Sequence, residues 1–301
     1  MRRHHLTAAL ALAAVIAAIC LVAPAFTAMN VPEPIKPGPG VTARKQLSDY
    51  FPGLKNTPGD TDVYVLDSGR PGGTLLVLGG THPNEPSGYI AAVLFIENAE
   101  PATGRLIVVP RANASAFTHT DYMEGSPQKI VIPTAAGERW FRYGSRATNP
   151  IHQWPDPDIY VHAESGQKLS GSETRNLNRA YPGRPDGNLT EKVAHGIVQL
   201  IKAEKADMAI DLHEASPEYP VINAIVAHDR AMGIAAEAVM ELQLAGVKFG
   251  LEPSPVKLRG LSHREWGDAT STLAILMETC NPAQGRLRGA TSAELVLTGR
   301  D

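Results

Sequence analysis

Cysteine is almost missing from this sequence: Cys20 and Cys280 are the only two, and Cys20 lies in an amino-terminal apolar run. If that run is removed, Cys280 stands alone and no internal disulfide can form, so stability must come from packing. Cys280 follows a buried-looking strand and reads as a small core residue rather than a nucleophile. A basic excess is also missing. The chain has 28 Lys and Arg against 31 Asp and Glu, a formal charge of −3, and nothing in that balance suggests a nucleic-acid partner. No Gly-x-Ser-x-Gly elbow occurs, which argues against a serine hydrolase of that type. No internal repeat is visible.

What is present begins with size. A chain of 301 residues, 43% hydrophobic and 20% charged, can bury a full core as one or two domains. The 27 glycines and 24 prolines predict long, turn-rich connections. Arg2, Arg3, His4 and His5 precede the apolar run Leu6–Val22 and then Ala23-Pro24-Ala25. A basic start, an apolar middle and a small-x-small site make a secretory signal peptide, with cleavage expected after Ala25 or Ala28. The run is also long enough to remain as an uncleaved anchor. Ile19 precedes Cys20 where a lipoprotein signal needs a small residue, so lipid attachment is not expected. The expected product is exported, periplasmic or extracellular, and touches membrane only through such an anchor. Residues 31–41, VPEPIKPGPGV, read as a linker. The expected layout is a signal peptide or anchor over 1–28, a Pro/Gly-rich linker over 29–42, and a single catalytic domain over 43–301.

Within that domain, Ala43–Tyr50 reads as a short helix. Asp62–Leu66, Thr74–Leu78 and Arg105–Val109 read as strands, with a helix over Ser87–Asn98. Strand, helix, strand in this order predicts a βαβ unit and a largely parallel sheet. From Arg111 to about Ser172 no periodic element stands out, and Trp140 and Trp154 there either line a pocket or pin loops to the body. Val193, Ile197, Leu200 and Ile201 recur at helical spacing within Leu189–Glu204. Ala206–Leu212, Val221–Ala227 and Leu273–Met277 complete the strands, and Arg230–Leu244 reads as a helix.

Candidate chemistry gathers at three predicted strand ends. Leu75–Gly88 reads LLVLGGTHPNEPSG, placing His82 and Glu85 just past a strand. By itself this is either half a zinc site or a loop histidine beside a helix-capping glutamate. His213 and Glu278 also stand at carboxyl ends of core strands, the edge where open α/β sheets bind ligands. His82, Glu85 and His213 would hold one zinc ion with a net +1 charge and lower the pKa of its water. Glu278 then suits a general base. Asp211 shares a strand face with His213 and is either support for that ligand or a strand-end polar residue. Thr174–Gly183 reads TRNLNRAYPG. There Asn178 and Arg179 either bind a substrate carboxylate, Arg by its bidentate fork, or form an ordinary loop.

Taken together, His82-x-x-Glu85, the long gap to His213, the Asn178-Arg179 pair and the late Glu278 resemble the zinc carboxypeptidase superfamily. GGTHPNEPSG and NLNRAYPG are most similar to its succinylglutamate desuccinylase/aspartoacylase branch, over roughly Thr74 to Gln284. The resemblance implies a mixed, largely parallel central sheet flanked by helices. It further implies one zinc on His82, Glu85 and His213, Glu278 as general base, and Asn178 and Arg179 holding a substrate carboxylate. The chain departs from the pattern in four places. Asn176-Leu177 stands where Asp-Leu usually precedes the pair. The family's arginine for the scissile carbonyl has five candidates here: Arg111, Arg139, Arg142, Arg146 and Arg175. No room is expected for the aspartoacylases' additional C-terminal β domain. No tyrosine follows Tyr219, so none is expected to close over a substrate near Glu278. The leading expectation is an exported zinc amidohydrolase, a deacylase of N-acyl amino acids or related carboxylate-bearing molecules. The alternatives are a carboxypeptidase acting on peptides, including cell-wall peptides, and a non-catalytic binding protein. The expected partner is a small-molecule or short-peptide substrate with a free carboxylate.

Overall fold

Continuous apolar runs cannot face water on either side, so they pair edge to edge and are covered by helices. In the computed structural model, which describes residues 2–121 and 126–285, this produces one eight-stranded sheet with two small hairpins beside it. In chain order the elements are helix α1 (Arg2–Met29), strands β1 (Ala43–Gln46), β2 (Asp62–Asp67) and β3 (Thr74–Leu78), helix α2 (Pro86–Asn98), and β4 (Arg105–Val109). The hairpins β5 (Lys129–Thr134)–β6 (Gly137–Arg142) and β7 (Ile159–Val161)–β8 (Lys168–Ser170) follow. Then come α3 (Leu189–Glu204), β9 (Met208–Ala215), β10 (Ala224–Ala227), α4 (Met232–Leu244), β11 (Gly250–Pro253), α5 (Ser262–Ala269) and β12 (Leu273–Cys280). Residues 286–301 of the expected catalytic domain lie outside the described residues.

The sheet order is β1-β2-β4-β3-β9-β12-β10-β11. Its centre, β4-β3-β9-β12, is parallel throughout, and β1, β2 and β10 supply the antiparallel pairings. The expected mixed, largely parallel sheet is therefore what the chain forms. Alternation along the central strands sorts their side chains. Leu76, Leu78, Ala209 and Ala274 join Val193, Ile197 and Ile201 of α3 and Trp266 of α5 in one core. Ile275 packs with Ala235 and Val239 of α4 on the other face, with Ile210 against the same cluster. Asp211 and His213 share a face with Ala209, and Glu278 shares one with Ala274.

Several local expectations change. Ala43–Gln46 is an edge strand rather than the start of a helix, because it pairs antiparallel with β2 and its Arg44 and Gln46 side chains both donate to Asp62. The stretch after Arg111 holds the two hairpins, whose strands are too short to show a period. Cys280 is exposed, since β12 runs past the core to the sheet rim. Trp154 is exposed, and Trp140 lies beside the Arg142 guanidinium, 5.5 Å from its ring centre.

α1 contains the one stretch among the described residues long and apolar enough to cross a membrane, His4–Ala28. The segment after it lies against the body. Glu33 is buried 3.8 Å from Arg111, Arg142 donates to the Val31 carbonyl, and Gly38 N–H donates to Ile96 O at 3.0 Å.

At its far end, α3 is fastened by Glu204, whose carboxylate accepts from Lys45 Nζ (2.8 Å), Tyr50 OH (2.6 Å) and Arg105 Nη1 (2.6 Å). Burial alone would raise this carboxyl, but the three donors hold it at about 2, below the ordinary 4.5. A depressed folded value gives stability that is present above the unfolded value and lost as pH falls through the folded one. Glu204→Gln is expected to cost about 1–3 kcal/mol near neutral pH. Urea melts should show the gap to wild type closing between pH 4.5 and 2. A gap independent of pH would remove the carboxylate from the explanation.

Candidate active site

Three adjacent parallel strands, β3, β9 and β12, deliver the candidate residues to one edge. β3 ends at Gly79-Gly80. Gly80 has φ +70°, and a Cβ there would stand 2.7 Å from the Phe117 ring, so the sharp exit suits glycine alone. The chain turns at once, with Glu85 N–H donating to His82 O (3.0 Å), and Pro86 opens α2. Gly88 lets α2 approach β9, since a Cβ at that position would lie 2.6 Å from Leu212 O. The strands β9 and β12 run beyond the expected Leu212 and Met277. His213 and Glu278 are therefore paired sheet residues, in register with each other.

His82, Glu85 and His213 converge. One donor atom from each lies within 4.8 Å of the others, and all three residues are buried. His82 Nδ1 is 2.8 Å from Glu85 Oε1, and His213 Nδ1 is 2.9 Å from Glu85 Oε2. The outer nitrogens have partners of their own. His82 Nε2 is 2.9 Å from Asn176 Oδ1, and His213 Nε2 is 2.9 Å from Asp211 Oδ2, the latter without hydrogen-bond alignment. Asp211 is itself fixed by Thr81 Oγ1 at 2.8 Å. An N–H on each outer nitrogen leaves both Nδ1 lone pairs turned inward beside the carboxylate, as metal ligation requires.

The electrostatics point the same way. Burial and the nearby Arg146 push the His82 imidazole down to about 4, so it is neutral at neutral pH. Burial opposes charge on Glu85, yet His82 and His213 hold its carboxyl well below the ordinary range. Burial likewise opposes charge on His213, but Asp211 and Glu85 on either side raise it well above its ordinary value. Without an ion, the protonated His213 imidazole carries the positive charge between the two carboxylates, and with that proton displaced the buried two-histidine, one-carboxylate set is a donor set suited to zinc. The residues fit the metal that the resemblance implies.

A cavity of about 440 Å³ opens over this cluster, and its lining includes Glu278, Arg146, Asn178, Arg179, Glu214 and Tyr219. That volume suits a small ligand. Burial pushes Glu278 up to about 7, against the opposing pull of His213. Of the five candidate arginines, Arg146 is the one at the cavity, 3.4 Å from Glu85 Oε1. The others are engaged elsewhere: Arg111 faces Glu33 and Asp62, Arg139 pairs with Glu97, Arg142 binds main-chain carbonyls, and Arg175 grips Asp156. Asn178 and Arg179 sit in a short turn at the rim. Asn178 Oδ1 accepts from Ser262 N–H at the start of α5 (2.8 Å), which leaves its NH₂ to donate. Tyr219 also lines the cavity, so a tyrosine does stand near the site, although none follows it in sequence. Neither Trp140 nor Trp154 lines the cavity.

The fold is shared with a solved succinylglutamate desuccinylase. The similar solved structures are succinylglutamate desuccinylase/aspartoacylase proteins and metallocarboxypeptidases. A succinylglutamate desuccinylase from Silicibacter sp. TM1040 has a TM-score of 0.50 at 19% identity, over 89% of this chain and 69% of that one. This likeness carries the fold alone. A putative carboxypeptidase A from Shewanella denitrificans has a TM-score of 0.47 at 14% identity, over 80% of this chain and 56% of that one. Among curated proteins, the N-alpha-acetyl-L-2,4-diaminobutyric acid deacetylase of Halomonas elongata is 26% identical over 168 residues, 55% of this chain and 35% of the relative. The chain thus spans about a third of the length of the curated relative it matches. No family model matches the chain.

Proposed function

We propose that this chain is an exported zinc-dependent hydrolase cleaving the amide of an N-acyl amino acid or a related carboxylate-bearing substrate. Residues 43–301 would form its catalytic domain, and 1–28 the signal peptide or anchor. The observation that carries this reading is the buried His82–Glu85–His213 set at the base of a cavity that also presents the Glu278 carboxyl and the Arg146 and Arg179 guanidinium groups. Both the acetyl-diaminobutyrate deacetylase and the desuccinylase to which the chain is similar are, by name, enzymes that remove an acyl group from an amino acid.

His82, Glu85 and His213 would hold the ion. When bound, zinc supplies Lewis acidity toward the scissile carbonyl and acidifies a water. Arg179 and the Asn178 amide donate to the substrate carboxylate and fix which bond lies over the metal site. Arg146 donates to the carbonyl oxygen as negative charge develops on it. Glu278 accepts the proton of the attacking water and returns it to the departing amine, a task suited to a carboxyl poised near neutrality.

Metal analysis of the purified protein together with hydrolysis of an N-acyl amino acid panel tests the reading. One equivalent of zinc and release of free amino acid are expected. A folded protein that binds no zinc, or a zinc-loaded one that cleaves no amide, would overturn it. Tyr219 at the cavity mouth favours a second reading, a carboxypeptidase acting on short peptides, including those of the cell wall. Faster cleavage of peptides than of acyl amino acids in the same panel would select it.

A further inference from the structure

The resemblance leads one to expect an aspartate at position 176, and the chain has Asn176. Both the oxygen and the nitrogen of its side-chain amide are engaged. Oδ1 receives His82 Nε2–H at 2.9 Å and Asn178 N–H at 3.0 Å, while Nδ2 donates to Glu173 Oε2 at 2.7 Å. The same Glu173 oxygen stands 3.7 Å from Arg179 Nε. Arg175, the nearest other cation in sequence, is held by Asp156 through two bonds of 2.7 and 2.9 Å and does not compete for Glu173. One carboxylate therefore faces both the imidazole side and the guanidinium side of the site.

We propose that Glu173 is a positioning residue for both halves, orienting His82 through the Asn176 amide and holding Arg179 directly. An amide whose N–H points at a carboxylate carries more negative charge on its oxygen, and hydrogen bonds in series strengthen one another. Asn176 Oδ1 is then a stronger acceptor for His82 Nε2–H than an isolated amide. That fixes the tautomer and makes Nδ1 the better ligand. The negative charge that an aspartate would carry at position 176 is here supplied one hydrogen bond farther out. From that place it also restrains Arg179. The inference rests on the hydrolase reading above.

The test moves the carboxylate. Glu173→Gln is expected to weaken zinc affinity about tenfold, measured by competition with a chromophoric chelator, and to raise KM for an N-acetyl amino acid several-fold. Glu173→Gln combined with Asn176→Asp puts the carboxylate directly against His82 Nε2 and an amide at 173. Zinc affinity should return to the wild-type value or better, while KM stays raised because Arg179 still lacks its anionic partner. A merely structural role would produce no such split, and thermal melts verify that both variants fold. Unchanged zinc affinity in Glu173→Gln, or no recovery in the double variant, overturns the His82 half. A KM that recovers with zinc overturns the Arg179 half. A wild-type protein that binds no zinc overturns the hydrolase reading and this inference with it, whereas zinc-loaded, active wild type beside an indifferent Glu173→Gln overturns this inference alone.

Discussion

Glu278→Gln is expected to retain one equivalent of zinc and to lose about 10²–10⁴ in kcat. Glutamine keeps the volume and one acceptor oxygen, and β12 keeps its pairing with β9 and β10, so the fold is not at risk. What disappears is a group able to take a proton and give it back. The ligand trio does not include Glu278, so metal content should not follow activity down. Kinetics on the zinc-loaded variant, with metal analysis on the same preparation, decide the matter. Activity within tenfold of wild type would remove Glu278 from the base role, and loss of zinc would make it a ligand instead.

The second large effect concerns Arg146. Arg146→Met should lower kcat by about 10²–10³, the size expected when one donor to a developing oxyanion is removed, with a smaller change in KM. Its guanidinium lies 3.3 Å from His82 Nδ1 and 3.4 Å from Glu85 Oε1, beside the residues proposed to hold the ion. A cation so near the metal site does not help to hold a second cation, so zinc should be bound at least as well without it. Arg146→Lys should recover only part of the rate, because a point charge replaces a planar fork. A methionine variant with unchanged kcat and a large rise in KM would make Arg146 a carboxylate binder.

How far the sequence announced this site depends on the kind of signal each residue carries. β3, β9, β12 and α3 were legible because their apolar spacing is set by burial, and burial leaves a period. The reach of β9 and β12 through His213 and Glu278 was not, because polar residues there stay in strand conformation by pairing with each other. α5 left no trace for a related reason. Its buried side chains include His263, Arg264 and Glu265, which look like surface residues until their partners are seen: Arg264 donates to Ser254, and Glu265 accepts from Arg259. Choosing Arg146 among five arginines required knowing which of the others were already paired across the fold. Asn176 was noticed as a departure, but its meaning lay in Glu173, whose bond to it depends on the turn between them. Tyr219 precedes Glu278 by a long stretch of chain yet lines the same cavity, because separation in sequence does not set distance in the fold.

The ligand trio and Glu278 grow from strands or strand exits at the centre of the sheet, whereas Arg146, Asn178, Arg179 and Tyr219 come from connecting segments. Replacing a strand residue there would disturb the core and the proposed chemistry together. The connecting segments are free of strand pairing at these positions, although Leu177, Ala180 and Tyr181 beside Asn178 and Arg179 belong to the core. If the proposed roles are right, a lineage built on this plan can exchange acyl group, amine or peptide by rewriting loops while the bond-breaking apparatus passes unaltered from one substrate to the next.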